Sequence, residues 1–332
     1  MNRREVEKYI EERYPGFKVL GRKTIVCRNS TIFMLDLCKG QIRDKIVVKI
    51  SRNYQPREVA LEYANLSRFY SACKDEFISS PQPLFVDAEK GILAMSHVEG
   101  VNLSYILHEI RPASSQYLSS AADLSAVALA RYHTLFCRGE GELPTIDTNA
   151  REDDINQYLA ESRERMAECN LKIMVNPFFD FTSWNILIKD EKPQNATAKA
   201  SMKLFLIDFT RHDYVCTPHL DLARFRFGLE LIKQFPPAKF LGLNRWDVDS
   251  FYDRFLSSYC REMHVALNQD DLWLIARARK AYIRRASDLT RKGRCGWQPK
   301  LERMYLQTFS RDWLEQGDTF SKWPRIGRVE KA

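Results

Sequence analysis

Strand-forming and helix-forming patterns are segregated along this chain, and that segregation limits the fold more than any other feature. Four apolar stretches before residue 100, at 17–26, 31–37, 45–50 and 91–95, read as strands, the middle two joined by a turn-like segment at 38–44. Strands joined this closely pair antiparallel. One helix interrupts them: Pro56 suits a first helical position, and Val59, Tyr63, Leu66 and Tyr70 recur at helical spacing. After Gly100 the pattern turns helical, around 103–109 and then over 119–136, where Leu124, Val127, Ala128, Arg131 and Leu135 keep the period. The exceptions are two short apolar runs, 185–188 and 203–207, joined by the polar loop 189–201, which read as a hairpin set among helices. The expected architecture is α+β and bilobal. An N-terminal antiparallel sheet with one helix occupies residues 1–98, and a larger, mainly helical C-terminal lobe occupies 99–332, the two packing closely around a cleft near 95–100.

At 332 residues, 45% apolar and 12% aromatic, the chain has material for two cores at about 100–200 residues per domain. A charged fraction of 28%, only 13 Gly and 13 Pro, and the lack of any short repeat exclude disorder, collagen and solenoids. The first residues are charged and helix-forming, without the roughly 7–15 apolar residues of a secretion signal, and no later run reaches the about 18 needed to span a bilayer. A cytoplasmic location is expected. The eight cysteines stand singly, with no Cys-x-x-Cys pair and no nearby His at ligand spacing, and read as reduced, mostly buried thiols.

The net charge of +8 is uneven. From Asp270 to the end there are 15 Lys/Arg against 8 Asp/Glu, with Arg277, Arg279, Lys280, Arg284, Arg285, Arg291, Lys292 and Arg294 clustered. Such a surface suits an anionic substrate, the inner face of a membrane or nucleic acid.

Phosphoryl transfer from ATP needs a cation on the α- and β-phosphates, oxygen ligands for Mg²⁺, and a carboxylate to orient the attacking hydroxyl. The chain offers these in order. Lys49 ends the β-branched strand Ile46-Val-Val-Lys-Ile50. On the next helix Glu62 falls inside the stripe of Val59, Leu66 and Phe69, whereas Glu58 lies at its edge; a charge within an apolar stripe needs a partner, and Lys49 supplies one. Downstream stands Phe178-Phe-Asp-Phe-Thr-Ser-Trp-Asn-Ile-Leu-Ile188, then Leu204-Phe-Leu-Ile-Asp-Phe209. Asp180 and Asn185 are five residues apart, the spacing of a kinase catalytic loop, and Asp208 ends the following strand, where a second metal ligand belongs.

These motifs, in this order from about Phe17 to Arg224, resemble the family of aminoglycoside phosphotransferases, choline kinases and related small-molecule kinases, which share the protein-kinase-like fold. The resemblance implies that Lys49 binds the α- and β-phosphates, that Glu62 holds it, that Asn185 and Asp208 bind Mg²⁺, and that Asp180 is the catalytic base. It further implies that Met95-Ser-His-Val-Glu-Gly100 is the hinge, with backbone near His97 and Val98 holding the adenine and Met95 lining its pocket. Ala128-Leu-Ala-Arg-Tyr-His133 resembles the helix before the catalytic loop, and Leu220-Asp-Leu-Ala223 a segment in which Asp221 braces that loop.

Two positions depart from the pattern. Phe178 and Phe179 stand where the family has His-Gly, so packed phenylalanines replace the internal support of the His. The turn Cys27-Arg-Asn-Ser-Thr31 has no glycine, so Ser30, Asn29 or Arg28 would reach the phosphates with side chains instead. His97 and His133 read as structural, and the aromatic segments 246–255 and 297–313 as helix packing.

The expected activity is therefore ATP- and Mg²⁺-dependent phosphorylation of a hydroxyl on a small molecule or carbohydrate. Polycationic aminoglycosides call for an acidic lobe, whereas the basic C-terminal helices point to an anionic sugar or a lipid-linked glycan, and to peripheral contact with a membrane. The rival reading is a pseudokinase, a nucleotide-binding or scaffold module without efficient transfer. A protein kinase is disfavoured, because no Ala-Pro-Glu-type segment follows Asp208, and nucleic-acid binding ranks below both.

Overall fold

The computed structural model describes residues 3–27, 30–52, 55–73, 75–108, 114–140, 154–191, 201–233 and 246–291. The chain divides into two units, one comprising Met1–Lys74 and Ser80–Glu99, the other Asp75–Ser79 and Gly100–Ala332.

In the first unit, helix α1 (Arg3–Arg13) precedes strands β1 (Lys18–Val26), β2 (Ser30–Lys39) and β3 (Ile42–Ser51), and α2 (Pro56–Ala72) follows them. The segment after α2 carries β4 (Ile78–Ser79), which belongs to the second unit, before β5 (Pro83–Asp87) and β6 (Ile92–Ser96) complete the first. The sheet runs β1-β2-β3-β6-β5, antiparallel throughout. Its core follows from period-two alternation: Phe33, Leu35 and Leu37 on β2 and Ile46, Val48 and Ile50 on β3 share a buried cluster with Ile92, Ala94, Phe85 and, from α1, Val6 and Ile10. Each large side chain so buried contributes about 1.5–3 kcal/mol. The same alternation turns Lys49 to the opposite face of β3. The turn expected at 38–44 is shorter than the sequence suggests, since β2 and β3 continue to Lys39 and from Ile42.

The second unit holds β7 (Val101–Asn102), α3 (Leu103–His108), α4 (Ser115–Leu135), β8 (Cys137–Glu140), α5 (Asp154–Arg165), β9 (Ile173–Val175), β10 (Ile186–Glu191), β11 (Ser201–Leu206), α6 (His219–Lys233), α7 (Val248–Glu262) and α8 (Gln269–Arg291). The expected hairpin is present as β10 and β11, with Ile186 opposite Leu206, and it sits inside a sheet ordered β4-β11-β10-β7. Strand β4 runs parallel to β11 and, with Leu204 N–H donating to Phe77 O at 2.8 Å, ties residues 75–79 to this unit. On α4 the buried positions include Ala121, Ala122, Ala126, Ala128 and Ala130, small residues that permit close helix approach, and α7 is bound to that helix by Arg254 to Asp123 at 2.7 and 2.6 Å. Tyr252, Phe255 and Tyr259 of α7 are buried, and Phe255 lies 4.4 Å from the ring of Phe225 on α6. The aromatic segment beginning at Trp246 is thus helix packing, as expected, while 297–313 lies outside the described residues. Among the described residues no helix is long and apolar enough to cross a membrane.

Candidate active site

Lys49 lies mid-sheet, opposite Ile32 on β2 and Leu93 on β6, and is only 5% exposed. Its Nζ donates to Glu62 Oε1 at 2.7 Å, and Glu62, on the buried stripe of α2 with Val59, Leu66 and Phe69, is 2% exposed. Glu58 has other work: its carboxylate accepts the Gln55 N–H at 3.1 Å, closing the start of α2 around Pro56. The stripe argument and the cap together explain why the ion pair uses Glu62.

The remaining nucleotide candidates of this unit are placed as follows. Met95 is buried on β6, opposite Val47. His97 N–H donates to Lys45 O at 3.0 Å, which extends the sheet by one bond, and His97 and Val98 are half-buried. Ser30 is buried at the start of β2, its carbonyl accepting Cys27 N–H at 2.9 Å; Arg28 and Asn29 lie outside the described residues.

In the second unit Asp180, Asn185 and Asp208 come together at one end of the β10–β11 hairpin. A single turn of 3₁₀ helix, Ser183–Asn185, leads into β10, and Ile207 N–H donates to Asn185 O at 3.0 Å, so Asp208 follows immediately beside it. Asn185 Nδ2 donates to Asp180 O at 2.9 Å and to Asp180 Oδ2 at 3.2 Å. Both partners only accept, so the amide must turn its nitrogen to them and its Oδ1 elsewhere. Asp208 has φ of 61° and a carboxylate 43% exposed. Arg211 Nη2 lies 3.9 Å from Asp208 Oδ1. One amide oxygen and one part-exposed carboxylate are hard oxygen donors of the kind that Mg²⁺ takes.

Asp180 has a partner that sequence reasoning missed. Arg224 on α6 donates to Asp180 Oδ1 from Nε at 3.0 Å and from Nη2 at 2.5 Å. Burial works against the charge of Arg224, but Asp180, together with Tyr282 and Asp221, raises the guanidinium pKa above its ordinary value. Trp184, one residue before Asn185, is 47% exposed and stands edge-on to Tyr105 of α3, ring centres 6.4 Å apart.

The loop before Asp180 is held from behind. Asp221 on α6, fully buried, accepts Phe178 N–H at 2.6 Å and Phe179 N–H at 2.7 Å, and His133 Nε2 lies 3.0 Å from the same carboxylate. His133 Nδ1 meets Tyr259 OH at 2.8 Å. Phe178 is packed among Tyr132, Phe181 and Phe209, with ring centres 5.1, 5.7 and 5.3 Å away, and so fills its position before the Asp180 turn with apolar contacts. Phe179 takes φ of 70°, a left-handed conformation that costs a non-glycine residue roughly 1–2 kcal/mol. The Asp221 bond to its N–H offsets that cost.

Solved structures with this architecture exist. The chain superposes on spectinomycin phosphotransferase in complex with ADP and spectinomycin with a TM-score of 0.51 at 10% identity, covering 92% of this chain and 93% of that one. It superposes on wild-type aminoglycoside 2′-phosphotransferase-IIIa in its GDP complex with a TM-score of 0.53 at 11% identity, covering 96% and 98%. The chain has the aminoglycoside phosphotransferase fold. No family model and no curated protein matches the sequence itself. The bilobal α+β, protein-kinase-like architecture expected from the sequence is therefore the one observed.

Within this phosphotransferase fold a second His–Asp pair was not legible from cysteine spacing. Cys169, His219 and Asp271 are all buried and close enough to share an ion. Asp271 accepts Leu171 N–H and His219 Nε2 on Oδ1, at 3.1 and 2.9 Å, and Asn170 N–H and Asn268 N–H on Oδ2, at 3.1 and 2.8 Å. Those four bonds use the carboxylate's acceptor sites. Burial, then the neighbouring Asp271, pushes the Cys169 thiol up to about 12. The cluster anchors the start of α8 and offers neither a metal ligand set nor a reactive thiolate.

Proposed function

We propose that this chain is an ATP- and Mg²⁺-dependent phosphotransferase that phosphorylates a hydroxyl of a small molecule or carbohydrate. The buried Lys49–Glu62 pair carries the reading, because an ammonium held this rigidly beside a carboxylate, on a chain that also gathers Asp180, Asn185 and Asp208, matches the needs of phosphoryl transfer. Lys49 holds the α- and β-phosphates and Glu62 fixes Lys49. The adenine takes its hydrogen bonds from backbone at His97 and Val98 against Met95, with Ser30 near the phosphates. Asn185 Oδ1 and the Asp208 carboxylate hold Mg²⁺, which when bound offsets the phosphate charge. Asp180 orients the acceptor hydroxyl; the acceptor oxygen attacks the γ-phosphorus, the bond to the ADP oxygen breaks, and the hydroxyl proton passes to Asp180. Positioning supplies most of the benefit. The nucleoside diphosphates in the two similar structures favour a nucleotide for this one.

For the acceptor, the exposed Trp184–Tyr105 pair beside Asn185 favours a flat, partly apolar face such as that of a sugar ring. The charge argument for an anionic sugar or lipid-linked glycan, and for contact with a membrane, is weaker than the residue count suggests. Arg277 pairs with Glu161, Arg279 with Glu230 and Arg284 with Asp154, so part of the basic cluster is spent within the unit. The pseudokinase alternative loses support as well, since packed aromatic rings hold the loop where the family's His is missing.

The test needs no acceptor. Mg²⁺-dependent ATP hydrolysis, with water standing in for the hydroxyl, should fall about 10²–10⁴-fold in Asp180→Ala. Hydrolysis absent from the wild type while nucleotide still binds would favour the pseudokinase.

A further inference from the structure

Arg224 stands in the second unit as a half-buried cation whose geometry is directed at one atom. Its Nε and Nη2 both donate to Asp180 Oδ1, at 3.0 and 2.5 Å, while Asn185 Nδ2 donates to Asp180 Oδ2 at 3.2 Å. Each carboxylate oxygen is thus gripped from a different element, α6 on one side and the 3₁₀ turn on the other. Exposure is asymmetric: the Asp180 side chain is 50% exposed and the Arg224 side chain 23%. The guanidinium is packed over aromatic rings, 5.3 Å from the centre of Tyr282 on α8 and 5.7 Å from that of Phe227 on α6. Cation–π contact of this kind fixes the plane of the fork and hence the direction of its N–H groups. Three residues earlier on the same helix, Asp221 holds the backbone of Phe178 and Phe179. One helix therefore sets both the backbone and the side chain of the candidate base.

We infer that Arg224 is a positioning residue for the phosphotransferase reaction, locking the Asp180 carboxylate in the rotamer that meets the acceptor hydroxyl. The inference rests on the functional reading above and extends it to a residue outside the nucleotide and metal groups. A carboxylate half open to solvent has several rotamers available, and ordering it at the moment of reaction would cost part of the barrier. Arg224 settles that cost during folding. A guanidinium suits the task better than an ammonium, since its fork delivers two parallel donors to one oxygen and stays charged at every working pH.

The experiment is a double-mutant cycle on turnover, with Arg224→Met, Asp180→Asn and their combination in the full chain, read as Mg²⁺-dependent ATP hydrolysis beside Mg²⁺·ADP affinity. Methionine offers an apolar side chain to the Phe227 and Tyr282 rings that the guanidinium now faces, and Asp180 is exposed enough to re-solvate, so the variant should fold. Arg224→Lys is the second variant should it not. Arg224→Met is expected to lower turnover about 10–100-fold with ADP affinity unchanged within about twofold, and Arg224→Lys to recover part of the loss. In the Asp180→Asn background the Met substitution should cost less than about twofold, because its only route to the chemistry is gone. An equal loss in both backgrounds, or a loss of ADP affinity in step with turnover, overturns the inference in favour of a structural role. A wild-type chain that neither binds Mg²⁺·ADP nor hydrolyses ATP overturns the functional reading itself, whereas full activity in Arg224→Met overturns the clamp alone.

Discussion

The ion pair in the first unit and the one in the second are built alike and exposed differently. Lys49–Glu62 measures 2.7 Å with side chains 6% and 2% exposed; Arg224–Asp180 measures 2.5 Å with side chains 23% and 50% exposed. In the first pair the acid is the more deeply buried partner and serves the cation. In the second the cation is the more deeply buried partner and serves the acid. In the proposed function the first arrangement suits a lysine that waits for a phosphate, and the second a carboxylate that meets an acceptor and is held by a less exposed guanidinium. The contrast also predicts different costs, because removing one partner of a fully buried pair strands a charge in a low-dielectric site, whereas removing the partner of a half-exposed acid does not.

Behind Asp180→Ala, whose loss of turnover should be the largest effect, Glu62→Ala comes next. It takes away the carboxylate 2.7 Å from a buried ammonium and should destabilise the chain by about 3–5 kcal/mol in chemical denaturation. A loss under about 1 kcal/mol would mean that the first pair is as solvated as the second and would erase the contrast. The smallest change is expected at Phe179. Glycine there relieves the roughly 1–2 kcal/mol left-handed cost but gives up ring contacts with His212 and Tyr214, whose centres lie 5.4 and 6.0 Å away. Phe179→Gly should therefore leave stability within about 1 kcal/mol of the wild type and turnover within a few-fold. A collapse of either would mean that the ring itself, and not the Asp221 bond to the N–H, fixes the loop.

Much of the first pair was legible because both of its members sit in periodic elements. Lys49 stood out at the end of a β-branched strand, and the helical stripe on α2 chose Glu62 over Glu58. Asp180, Asn185 and Asp208 were legible for a related reason, since a five-residue spacing running into a hairpin brings its ends together. The second pair was not. Arg224 lies 44 residues from Asp180 and reads in sequence as one basic residue of the stretch Arg224-Phe-Arg226, with no local period to say which of the two reaches Asp180. The same holds for His133 and Asp221, 88 residues apart, and for His219 and Asp271, 52 apart, whose contacts exist only once helices pack. Strand β5 escaped notice because it is five residues long and opens on Pro83, a residue that argues against a strand until its edge position is known.

The central claim is that this chain binds a nucleotide through a metal held by Asp208. It is tested most directly by thermal unfolding of the wild type and of Asp208→Ala with ATP, with and without Mg²⁺. A ligand at about 100 times its dissociation constant adds about 2.7 kcal/mol. The account predicts a rise in melting temperature of that order for the wild type with ATP and Mg²⁺ together, reduced without Mg²⁺ and absent from Asp208→Ala. An equal rise in both proteins, or none in either, would contradict it.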